Sequence, residues 1–198
     1  MVKTTTKKTK KKVIKVPTGN IDKDFDLLID FAKSTIINRE MLSPTVYVID
    51  SKNKEMGIVN GDLPYDGNVK QKIFESVGRD YAKKMPNADA FIMLMEAWAS
   101  TSSSSQPAVM PHEDPNRIEV FMVAAKKMSG EEKNYAQAFK RNADHSIEFL
   151  DRSEMSSLNT DWAKPGKDKA GNVTENRLLG IAWRSFMLER IMNNINKQ

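Results

Sequence analysis

The residues with chemical potential in this chain gather in one stretch. Glu96 is the only charge in the apolar run AFIMLMEAWA over Ala90–Ala99. Seventeen residues, Ser100 to Asn116, separate it from a second apolar run, RIEVFMVAA over Arg117–Ala125. That connection ends in Pro111-His112-Glu113-Asp114-Pro115-Asn116. Glu96, His112, Glu113 and Asp114 supply the imidazole and carboxylates that hold zinc, manganese or magnesium, and a metal-bound water is a nucleophile for hydrolysis. The pattern suggests a metal-dependent hydrolase or nuclease, with Glu96, His112 and Asp114 as catalytic candidates. The competing reading is structural. Consecutive side chains point in different directions, no H-x-H or HExxH spacing occurs, and Asp114-Pro115-Asn116 is ordinary turn chemistry. A buried carboxylate needs a cation, and the expected partner of Glu96 is Arg117, across the hairpin. The structural reading is favoured, so neither a metal nor a cofactor is expected.

Other chemistries have less support. Cysteine is absent, which removes disulfides, thiolate nucleophiles and cysteine zinc sites. A serine triad would have to use His112 or His145, the chain's 2 histidines. The low-complexity run Ser100–Ser105 lacks the G-x-S-x-G elbow and reads as linker. Ala163–Asp168 (AKPGKD) contains a Gly-Lys pair without the phosphate-loop spacing, so Lys164, Lys167 and Lys169 read as a solvated basic loop.

Charge is divided unevenly. Lys3, Lys7, Lys8, Lys10, Lys11, Lys12 and Lys15 fall within the first 16 residues, which contain no acid. Removing these seven charges from the net +5 leaves −2 for residues 17–198. The pI near 9.2 therefore belongs to the arm. Such an arm neutralises phosphates without reading sequence, and it has no aromatic on which bases could stack. Non-specific nucleic-acid association and a merely solubilising tail are equal expectations. The arm lacks the apolar core of a secretory signal, and no apolar run approaches the roughly 20 residues of a membrane span. A cytoplasmic location is expected.

The elements that must position these groups follow from periodicity. Phe25, Leu28, Phe31, Ala32 and Ile36 form one stripe of a helix over Asp22–Arg39. Thr45–Asp50 and Glu55–Val59 read as a β-hairpin. A second helix spans Asn68–Met85, with Val69, Ile73, Val77 and Tyr81 four apart. The two apolar runs read as long strands, and shorter strands around Tyr135–Phe139 and Ile147–Phe149 flank a turn at Asn142–His145. A last helix over 174–194 has Thr174 as its N-cap. Its apolar residues cover most of its circumference, which core burial within one chain explains best and an oligomer contact explains second. Strands joined by short turns imply antiparallel pairing. The expected architecture is a single α+β domain over 17–198, about six strands with about three helices, and loops at 100–116 and 159–173.

The segment Glu96-Ala97-Trp98 through Pro111-His112-Glu113-Asp114-Pro115-Asn116-Arg117-Ile118-Glu119 resembles a pattern in small bacterial and phage proteins of unassigned function. The likeness covers residues 90–126. It implies a bacterial or phage origin and no activity. The residues taken together favour a non-enzymatic binding or accessory protein. Its body would contact an unidentified protein partner, and its arm would add electrostatic attraction.

Overall fold

Asn20 opens the first helix. Its side chain accepts hydrogen bonds from the backbone N–H groups of Asp22 and Lys23, at 3.0 and 3.1 Å, satisfying donors that a helix start leaves free. The computed structural model describes residues 16–64, 66–99, 117–150, 166–167, 173–174 and 177–195. Within them the order is α1 (Ile21–Ile37), β1 (Thr45–Asp50), β2 (Glu55–Asn60), α2 (Gly67–Lys84), β3 (Ala90–Ala99) and β4 (Ile118–Lys127). There follow β5 (Glu132–Arg141), β6 (Ile147–Phe149), β7 (Gly166–Lys167), β8 (Val173–Thr174) and α3 (Arg177–Ile195).

The first six strands form one antiparallel sheet in the order β2-β1-β3-β4-β5-β6. With three helices among the described residues, this is the expected α+β layout. The helices lie on both faces of the sheet. Ala90, Ile92 and Leu94 pack towards Phe25, Leu28, Ala32 and Ile36 of α1. Phe91 and Met93 pack the other way, towards Phe74 and Val77 of α2 and Leu179 and Phe186 of α3. A strand covered on both sides has no solvent face to keep polar, which is why β3 reads as an almost unbroken apolar run.

The α2–α3 layer depends on a missing side chain. A Cβ added to Gly78 would lie 2.1 Å from the carbonyl oxygen of Ala182 and 2.9 Å from the backbone nitrogen of Phe186. The two backbones therefore touch where α2 crosses α3. Further along both helices, Lys83 bridges Glu189 at 3.4 Å. Beneath the crossing, Phe186 meets the edge of Phe91 with ring centroids 5.4 Å apart.

Charges fasten the layers at their margins. Asp22 at the start of α1 bridges Lys127 at 2.9 Å and Lys133 at 2.6 Å, and Lys127 also reaches Glu131 at 3.0 Å. Hydrogen bonds from Lys133 and Lys127 hold the Asp22 carboxyl below its ordinary value. On the opposite face Lys126 is buried, bonded to Glu132, with its ammonium 4.8 Å from the centre of the Trp183 ring.

Several boundaries differ from the sequence expectation. α1 stops at Ile37 because Arg39 N–H donates to Ile36 O at 2.8 Å and Glu40 N–H to Thr35 O at 3.0 Å. Those paired bonds are a Schellman stop, and Arg39 occupies its left-handed position with φ +62°. Thr174, expected to cap the last helix, belongs to β8, which pairs with β7 inside the expected loop 159–173. The last helix begins at Arg177. Val16, placed in the arm by composition, packs half-buried against the core on the α1 side. Residues 1–15 and the loop 100–116 lie outside the described residues.

Two outcomes follow for stability. Gly78→Ala should cost about 3 kcal/mol in urea unfolding, because its Cβ meets backbone rather than a movable side chain. A cost under about 0.5 kcal/mol would mean that the helices part freely. The second outcome concerns acid. A depressed carboxyl contributes stability that is present above its unfolded-state pKa and is lost as pH falls through the folded value. Asp22→Asn should therefore melt below the wild type at about pH 7, and the gap should narrow as pH falls below about 4.

Candidate functional site

Even-numbered residues of β3 face α1, so Glu96 follows Ala90, Ile92 and Leu94 onto that side. The register sets Phe121 of β4 opposite Glu96, and Gln137 of β5 opposite Phe121. Arg117 precedes β4, four residues from Phe121, or about 13 Å along an extended chain. That offset replaces the expected Glu96–Arg117 pair. Arg141, at the end of β5, reaches back across the sheet instead. Its Nη1 lies 2.9 Å from Glu96 Oε1 and also bonds Glu119. The second Glu96 oxygen accepts from Leu42 N–H at 3.3 Å. The Glu96 side chain is only 10% exposed.

Both oxygens of Glu96 thus face donors. The carboxylate joins the chain after α1, the end of β3 and the end of β5. Arg117 lies with its guanidinium carbon 4.8 Å from the centre of the Trp98 ring, a cation–π contact at the same end of the sheet. Trp98 remains 41% exposed there.

The remaining histidine is a turn residue. His145 N–H donates to Asn142 O at 2.9 Å, and Asn142 N–H donates to Ser146 O at 3.0 Å. His145 takes the left-handed position of this turn, φ +71°, where hairpins of this length favour glycine. Bonds from the Ser146 backbone N–H and hydroxyl lower the Asp144 carboxyl beside it. His112, Glu113 and Asp114 lie outside the described residues, as do Lys3, Lys7, Lys8, Lys10, Lys11, Lys12 and Lys15. Among the described residues, no group of three His, Cys, Asp or Glu is placed to hold a metal ion. No described helix is long and apolar enough to cross a membrane.

A different surface stands out on α3. Leu188, Ile191, Met192 and Ile195 are 64%, 52%, 58% and 63% exposed. Spacings of three, four and seven set them on one helical face. Leu179, Ile181, Ala182 and Phe186 are the buried apolar residues of α3 that pack with α2 and the sheet. Since α2 ends at Lys84 and Lys83 bridges Glu189, the last residues of α3 extend beyond the helix that supports it. The excess of apolar residues was visible in sequence, but which of them would stay uncovered was not. Arg141 was missed altogether. Its only signal was a charge two residues past the alternation Tyr135, Gln137, Phe139.

No family model, curated protein or solved structure matches the chain.

The reassigned pair can be tested by stability. Arg141→Met leaves Glu96 and Glu119 without their shared cation and should cost about 2 kcal/mol. Arg117→Met keeps that pair and should cost less than Arg141→Met. Urea unfolding of both variants decides, and the opposite ranking would restore Arg117 as the partner of Glu96.

Proposed function

We propose that this chain is a non-enzymatic binding or accessory protein of bacterial or phage type, working in the cytoplasm. Its folded body contacts a protein partner, and its Lys-rich arm adds electrostatic attraction, including attraction to nucleic-acid phosphates. The observation that carries the reading is the exposed apolar face of α3, with four large side chains in line. Scattered exposed apolar residues are normal on a protein surface, whereas a contiguous row marks a contact site. The placement of Glu96 supports the same reading, because its carboxylate is committed to holding three elements together.

The arm contributes through charge alone. Seven lysines on a body of net charge −2 make attraction to phosphate weak, indifferent to sequence and steeply dependent on salt. The metal-dependent alternative has no observation in its favour among the described residues.

The test is a salt titration of the full chain, and of a chain lacking residues 1–15, on one labelled DNA duplex. With about five phosphates neutralised, log K should fall with log salt at a slope near −4.5, and truncation should remove nearly all of that slope. The melting temperature should stay nearly unchanged by truncation. Equal binding by the truncated chain would overturn the role of the arm. Saturable binding of Zn²⁺ or Mn²⁺ in calorimetry, abolished by Glu96→Gln and by His112→Ala, would overturn the non-enzymatic reading.

A further inference from the structure

We infer that Asn60 is a site of spontaneous covalent modification, where the folded chain converts a side-chain amide to aspartate and isoaspartate. The reactants are Asn60, the backbone nitrogen of Gly61 and water.

Asn60 is the chain's one asparagine followed by glycine. In the reaction the Gly61 nitrogen gives its proton to solvent and bonds to Asn60 Cγ. The bond from Cγ to the side-chain nitrogen breaks, and that nitrogen leaves as ammonia. Water then opens the cyclic imide at either carbonyl. Opening at Cγ leaves aspartate in a normal backbone. Opening at the main-chain carbonyl leaves isoaspartate, with the chain routed through Cβ. Glycine in the second position favours ring closure, because it has no Cβ to crowd the attacking nitrogen.

The fold leaves this pair open. β2 is an edge strand of the sheet, and Asn60 is its last residue and is exposed. A Cβ built on Gly61 would meet nothing within 4 Å, so the ring has room to form and water can reach it. One bond restrains the nucleophile. Gly61 N–H donates to Pro44 O at 3.2 Å, the long end of the range for such a bond. This rung lies just past the last strand pair, Thr45 opposite Asn60. On the outer side of β2, the Tyr81 hydroxyl donates to Ile58 O at 3.4 Å, two residues short of Asn60. Strand ends open locally at little cost in free energy. Opening this rung frees the nitrogen, so the fold slows the reaction without preventing it.

Other candidates are better held. Asp66 also precedes a glycine, but its side chain accepts from the N–H groups of Asn68 and Val69 at 2.8 and 3.0 Å. A carboxylate is also a poorer electrophile than an amide. Asn20 caps α1 through its side-chain oxygen, and Asn53 Nδ2 donates to Asp50 at 2.7 Å; neither precedes glycine. At Asn60 either product places a carboxylate at the end of an edge strand, where charge opposes pairing with further strands. Isoaspartate also lengthens the backbone beside the Gly61–Pro44 rung.

The experiment incubates the full chain in neutral buffer, one sample folded and one unfolded in urea, and follows both by peptide mapping with mass spectrometry. In each sample the peptide holding Asn60 should gain the mass difference between an amide and an acid, ahead of every other asparagine peptide. It should also split into two products of equal mass, aspartate and isoaspartate, with different chromatographic retention. The folded chain should lag the unfolded one by roughly tenfold, the factor set by one net hydrogen bond. Asn60→Gln, whose side chain would need a larger and less favoured ring, should abolish the conversion at this peptide. A folded chain that keeps its Asn60 amide after the unfolded chain has converted overturns the inference. So does a lag beyond about a thousandfold, which would route the reaction through global unfolding. Earlier conversion at another asparagine of the folded chain overturns it as well, and equal rates in the two samples overturn the restraint by Pro44.

Discussion

The fold depends on burying β3 from both sides. A central strand with large apolar residues on each face needs a helical layer above and below, and neither layer alone would cover it. α1 closes one face with a continuous stripe of its own. The other face is wider and needs α2 and α3 together. They can lie close enough only because Gly78 lets the α3 backbone approach directly. The position of every other element follows from this layering. β1 and β4 flank β3, and β2, β5 and β6 extend the sheet to either side.

Within that frame, ionisable side chains act as fasteners. Asp22 with Lys127 and Lys133 ties the start of α1 to the β4–β5 turn. Arg141 with Glu96 and Glu119 ties the far end of the sheet together. Lys126, held by Glu132 beneath Trp183, couples β4 to α3. Charges drawn out of water need partners of this kind. The surface that the layering leaves uncovered is apolar instead.

That surface is the end of α3. A helix longer than its supporting neighbour exposes whatever its last turns carry, and here those turns are apolar. The same helix is thus core at its beginning and exposed apolar surface at its end. The arm is a separate device, joined to the body at Val16, which packs on the α1 side. Were both to make contacts, one would work by apolar burial and the other by charge, and salt would weaken the second while leaving the first largely intact.

Fold class and most of the elements were legible in the amino-acid order. Periodicity is local, so helices with a single stripe and strands bounded by turns were legible within a few residues. The antiparallel sheet followed from short connections, and the charge division between arm and body needed only counting. Ends set by backbone hydrogen bonds were less legible, as the Schellman stop at Arg39 and the β7–β8 pairing of Thr174 show. Tertiary structure alone decided the partner of Glu96, because register along three strands brings Arg141 to it and sets Arg117 four residues away. It also decided which part of an all-round apolar helix stays wet. Composition records how much of α3 is apolar, but exposure depends on where α2 ends, and that is a property of packed elements rather than of either helix.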